Sequence, residues 1–111
     1  MKVKDICEKL DLSVVAGETA LENEISTVYV GDLLSWVMAH AKASSIWITI
    51  QSHVNIVAVA SLLNLSCIIV AEGAKVDEET VEKANNEEIP ILTTNKDAYC
   101  LIKELIHLGI E

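Results

Sequence analysis

Apolar runs alternate with helix-period segments through the second half of the chain, and this alternation constrains the fold more than any other feature. Ile46-Trp47-Ile48-Thr49-Ile50 reads as a strand, His53 to Leu63 as a helix, and Cys67-Ile68-Ile69-Val70-Ala71 as a second strand. Asp77 caps a helix from Glu78 to Glu88. Ile89-Pro90-Ile91-Leu92-Thr93 is a short strand, with Pro90 at its entrance where a missing N–H is tolerable. Thr94 or Asn95 caps a last helix that runs to Leu108. Strands alternating with helices predict a parallel sheet with right-handed crossovers. Near-continuous apolar strands predict cover on both faces.

The first half is less regular. Lys2 to Leu10 reads as a short helix, with Val3, Ile6, Cys7 and Leu10 on one face. Ser13 to Ala16 is a short strand ended by Gly17, and Glu18 to Glu24 is a polar loop. Ile25 to Val30 reads as a strand. Gly31 breaks it, Asp32 caps a helix from Leu33 to Ala41, and Lys42 to Ser45 is a loop. The fold class is α/β: a three-layer-like domain with a mainly parallel sheet from βαβαβα in the second half, plus an N-terminal helix and short strands. Residues 1–111 form a single domain.

Composition narrows the function. Hydrophobic residues make up 51% of the chain, enough to bury a core, which excludes disorder. A net charge of −9 argues against nucleic acid and against an anionic membrane surface. The run from Val54 to Ala71 is apolar but carries Asn55, Ser61, Asn64 and Ser66, so it divides into a helix and a strand rather than spanning a membrane. Cys7, Cys67 and Cys100 have neither disulfide nor zinc-ligand spacing. No signal peptide is read at the N-terminus, and a reduced, cytoplasmic setting is expected.

Two helices differ in character. Glu78 to Glu88 carries a thin apolar stripe, chiefly Val81 and Ala84, and belongs on the surface. Asp77, Glu78, Glu79 and Glu82 form its solvated, acidic N-terminal end. His53 to Leu63 is apolar almost all round and must be covered on more than one side. The N-terminal segments or a partner subunit can supply that cover. Trp36 and Trp47 read as core or interface residues.

Ligands of open parallel α/β sheets bind outside the carboxyl ends of the strands. Three loops end there, and they offer Thr49, Gln51, Ser52, His53 and Asn55, then Glu72 and Gly73, then Thr94, Asn95 and Lys96. Polar groups at helix N-termini favour a small anionic or nucleotide-like ligand. The bland reading is that Ser52 and Asn95 are caps and Gly73 a turn. Neither G-x-G-x-x-G nor G-x-x-x-x-G-K-[ST] occurs. His53 with Glu72 is the one conceivable acid–base pair. His40, His53 and His107 lack metal-ligand spacing, so no metal, cofactor or catalytic residue is assigned.

The run from Tyr29-Val30-Gly31-Asp32 to Ser35, then Ile46 through Ser61, then Pro90-Ile91-Leu92-Thr93-Thr94, resembles the DRTGG domain family. It is most similar to stand-alone members, some of which accompany iron-only hydrogenase genes. The resemblance implies an α/β regulatory or assembly module, often dimeric, without established catalysis. Alignment sets Ser52-His53 at the family's Asp-Arg pair and Ala71-Glu72-Gly73 at its Thr-Gly-Gly triplet, where only Gly73 matches. The expected function is a non-catalytic module that homodimerises and acts on a larger enzyme or signalling system, with a protein partner in a redox enzyme system. The alternative is a small-molecule, nucleotide-like sensor that uses the strand-end loops.

Overall fold

A computed structural model describes all residues, 1–111. Five strands form one sheet: β1 (Ser13–Ala16), β2 (Thr27–Val30), β3 (Ser45–Thr49), β4 (Cys67–Val70) and β5 (Ile91–Thr93). Five helices accompany them: α1 (Val3–Lys9), α2 (Leu34–His40), α3 (Asn55–Leu63), α4 (Glu78–Glu87) and α5 (Ala98–His107). The sheet order is β1-β5-β4-β3-β2. β2 to β5 are parallel, and β1 adds to β5 antiparallel. Strand ends fall within two residues of the expected ones: β2 starts at Thr27 rather than Ile25, β3 runs from Ser45 to Thr49, and β5 starts at Ile91, after Pro90.

Side chains alternate across each strand and build two cores. Trp47, Ile68, Val70 and Ile91 face α2, α3 and α4. Ile46, Ile48, Ile69 and Leu92 face α1 and α5, where Val3, Ile6, Leu101 and Leu105 cover them. The result is three layers, helix on sheet on helix. The stretch from Val54 to Ala71 is α3 followed by β4, and no helix is long and apolar enough to cross a membrane.

α3 packs against both α2 and α4. Its flanks are therefore covered inside the chain by a helix from each half, while Asn55, Ala58 and Leu62 stay exposed. Ile56, Val57, Val59 and Ala60 are buried, and Leu62 points outward at 66% exposure. Trp47 is fully buried, and its indole N–H donates to the Gly31 carbonyl at 2.8 Å. Trp36 is not a core residue, being 59% exposed and stacked on His40 with ring centroids 4.4 Å apart. Cys67 is fully buried, and burial pushes its thiol up, so it stays protonated and inert.

Three caps differ from the sequence reading. Asp97, not Thr94 or Asn95, caps α5 by accepting from the Cys100 amide at 2.9 Å. Thr94 is instead turned to its own loop, where its hydroxyl accepts from the Lys96 amide at 3.2 Å. Ser52 does not cap α3, whose N-cap position is Val54. Asp32 does not cap α2, because its carboxylate turns back to the end of β3. Asp77 stands at the N-cap of α4 with no side-chain bond.

The Cys100 amide holds the Asp97 carboxyl below the usual carboxylate range. A carboxyl lowered in the folded state adds stability above its unfolded pKa and loses it as pH falls through the folded value. Asp97→Ala is therefore expected to melt below wild type at pH 7. The gap should close below about pH 4, the range where a free Asp protonates. A gap that persists unchanged at pH 2.5 would contradict the cap's role.

Candidate functional site

The connections after β4 and β5 part company. The first leads to α4 on one face, and the second leads to α5 on the other. A crevice opens where neighbouring connections diverge in this way, which is the usual ligand position in open α/β sheets. The chain has a crevice of about 700 Å3 there. Its walls are residues 73–76 with Val81, residues 93–96, and the segment Leu10, Asp11, Ser13 and Val15.

Each wall has a local cause. Glu72 and Gly73 both take left-handed backbone, with φ of 59° and 70°, which turns the chain sharply after β4. A Cβ on Gly73 would stand 3.0 Å from the Asn95 side-chain oxygen, so the position suits glycine on both counts. The turn is laced to the next loop: the Glu72 amide donates to the Lys96 carbonyl and the Gly73 amide to the Thr94 carbonyl, each at 2.9 Å. The third wall comes from β1, where the register slips between Val14 and Ala16. The extra residue of that bulge, Val15, lines the crevice.

Two ammonium groups border this space in a chain of net charge −9. Lys96 is held in place by Glu104 at 2.8 Å and by the Leu10 carbonyl at 3.4 Å. Lys75 forms none of the ion pairs in the molecule and is free to meet an anion. Hydroxyls of Ser13, Thr93 and Thr94 supply neutral polar groups, and Val15, Val76 and Val81 supply apolar wall.

The residues named from sequence thus fall into two groups. Gly73 and Thr94 line the crevice, and Glu72 forms its turn. Thr49, Gln51, Ser52, His53 and Asn55 do not line it, and most of their polar groups serve the fold. The Thr49 hydroxyl donates to Asp32 at 2.8 Å, and the Ile50 amide donates to the same carboxylate oxygen at 2.9 Å. The Gln51 side chain donates to the Asp32 carbonyl at 2.9 Å. The Ser52 carbonyl accepts from Thr80 of α4 at 2.7 Å. His53 Nδ1 accepts from the Asn55 amide at 3.3 Å, and no hydrogen bond joins His53 to Glu72. No group of three or more His, Cys, Asp or Glu side chains converges as a metal site would require.

Sequence reading missed Lys75, Ser13 and Val15 as wall residues. Lys75 left a faint signal, as a lone cation among carboxylates just after a strand end. Ser13 and Val15 left none, because β1 reaches the site only through antiparallel pairing with β5.

The DRTGG domain matches residues 5–108. No curated protein matches the chain. Among solved structures it is similar to the CBS and DRTGG domains of the regulatory region of Clostridium perfringens pyrophosphatase, solved with the activator diadenosine tetraphosphate. The TM-score is 0.73 at 20% identity, over 92% of this chain and 44% of that one. The chain therefore spans less than half of that protein's solved region, and the likeness is one of fold.

Proposed function

The chain belongs to the DRTGG domain family, and from that premise we propose that it is a non-catalytic regulatory module that binds a small phosphorylated, nucleotide-like ligand. The crevice at the divergence of the β4 and β5 connections carries this reading. Lys75 and Thr94 are the groups we assign to the phosphate, with Lys96 as a fixed positive charge behind them. Val15, Val76 and Val81 are assigned to the organic part of the ligand. The similar fold in the regulatory region of a pyrophosphatase supports a regulatory role.

The module is proposed to act as a homodimer on a larger enzyme. The stand-alone members it resembles point to a redox enzyme, hydrogenase among them, as that partner. Of the two readings open from sequence, the crevice adds weight to the sensor without removing the assembly role, since a ligand signal has to be passed to something.

The test is a thermal-shift panel of nucleotides and phosphorylated metabolites. A ligand at a hundredfold excess over its Kd stabilises the native state by about 2.7 kcal/mol, or about 10 °C in a domain of this size. Lys75→Ala should remove most of that shift, and His53→Ala should leave it intact. No shift with any compound, or a shift lost in His53→Ala and kept in Lys75→Ala, would reject the site.

A further inference from the structure

Asp11 lines the crevice from the turn between α1 and β1, and its own chain gives its carboxylate no partner. Asp5, Asp32 and Asp97 each accept from a backbone amide. Asp77 stands at the N-terminal end of α4, where a carboxylate is favoured. Asp11 stands at the opposite kind of end. It follows Leu10, the C-cap of α1, in left-handed backbone with φ of 53°. The Leu12 amide closes that turn on the Cys7 carbonyl at 3.1 Å. Glycine or asparagine suits this position, and a cation rather than an anion suits the free carbonyls at a helix C-terminus. The Asp11 side chain is exposed and joins none of the ion pairs in the molecule. A residue that goes against both local preferences, at the wall of a crevice, points to what the crevice holds.

We propose that Asp11 selects the ligand: it accepts from the hydroxyl pair of a ribose and turns polyphosphate away, so that the crevice takes a ribonucleoside monophosphate. This rests on the ligand reading above and narrows its class. A carboxylate only accepts hydrogen bonds, and its two oxygens match the two neighbouring hydroxyls of a ribose. Charge sets the number of phosphates. The charged side chains of the wall are Lys75, Lys96 and Asp11. Lys96 is balanced by Glu104 at 2.8 Å, which leaves Lys75 as the cation that no carboxylate of the chain answers. One such cation meets one phosphate. Each further phosphate adds negative charge with no cation to receive it, near Asp11 and within a body of net charge −9. Phosphate therefore goes to Lys75 and Thr94, and the sugar to the wall that begins at Leu10.

Calorimetric titration of the full chain with ribonucleoside 5′-monophosphates, the matching triphosphates and the 2′-deoxy monophosphates tests this. Wild type is expected to bind a monophosphate about tenfold tighter than its 2′-deoxy form. It should bind that monophosphate about fivefold tighter than the triphosphate. Asp11→Asn removes the charge and keeps an acceptor oxygen, so it narrows the second ratio and keeps part of the first. Asp11→Gly removes both and narrows both ratios to about twofold or less. Without ligand, each variant should melt about 2–4 °C above wild type, because each suits the turn better. That gain separates a ligand role from a structural one, since a residue kept for the fold lowers the melting point when replaced.

A triphosphate or a 2′-deoxy form that binds wild type as tightly as the monophosphate would overturn the role of Asp11. So would ratios that Asp11→Gly leaves unchanged, or variants that melt below wild type. In each case a shift removed by Lys75→Ala would still keep the crevice as the site. Binding of a phosphorylated compound that has no ribose, with no nucleotide bound, would overturn the ribonucleotide class alone. Binding of nothing phosphorylated would reject the crevice reading and this inference together.

Discussion

Trp47→Ala is expected to cost about 3–5 kcal/mol of folding stability. The side chain is fully buried in the core beneath α2 and α3, beside Val37, Ile56, Val57 and Ile68. Removing it opens the largest cavity that any single substitution to alanine makes in this sheet, and it strands the Gly31 carbonyl that the indole now satisfies at 2.8 Å. Domains of this kind hold about 5–15 kcal/mol in total, so the loss is a large share. Urea titration followed by far-ultraviolet circular dichroism reads it as a fall in midpoint at unchanged slope. Trp47→Phe keeps most of the ring and loses the hydrogen bond, so its cost should be well below that of alanine. A cost under about 1.5 kcal/mol for Trp47→Ala would mean that this core is not packed as described.

The second large effect comes from a backbone contact. Gly17 follows β1 with φ of 71°, and its amide donates to the Asn85 side chain of α4 at 2.8 Å. A Cβ there would lie 2.3 Å from the Ile89 carbonyl oxygen and 2.5 Å from the Pro90 nitrogen. Both are backbone atoms at the entrance to β5, so neither can swing aside as a flexible side chain would. Gly17→Ala therefore combines left-handed strain with an overpacked contact, each of about 1–3 kcal/mol. Gly109→Ala is the control. It shares a positive φ, of 95°, but its Cβ would meet nothing within 4 Å. The control should cost about 1 kcal/mol, for conformation alone. Equal costs at the two positions in thermal or urea melts would show that the approach of Gly17 to Ile89 is not tight.

Much of this fold was legible from residue pattern. From β3 to α5 each apolar run is bounded by polar turns, and local pattern alone separates strand from helix there. The place of β1 was not legible. Four residues carry no mark of which strand they pair with, and the partner, β5, lies near the other end of the chain. Caps were read less well than elements. Asp32 sits where a cap belongs, yet the β3 end offers its carboxylate two donors at once, Thr49 and Ile50. The cover of α3 was an open question because α2 is short, with Val37 its one buried residue, and it shows little amphipathic signal of its own.

The candidate site divides along the same line. Strand-end loops are visible in the sequence, so Gly73 and Thr94 could be named. Which two loops diverge depends on the face that α5 chooses, and that choice is made by Leu101 and Leu105 packing on the α1 side. Without it, the β3 loop looks as good as the other two. The structure instead ties the β3 loop to Asp32 and Thr80 and leaves the crevice beside it.

The ligand is proposed to enter the crevice between residues 73–76 and 93–96. The most direct measurement of this is an amide NMR titration of the chain with the best compound from the panel. Saturating shifts are expected at Gly73, Lys75, Thr94 and Lys96, with the amides of Gln51 and His53 little moved. Shifts centred on Gln51, His53 and Asn55 instead, with Gly73 and Thr94 unmoved, would contradict it.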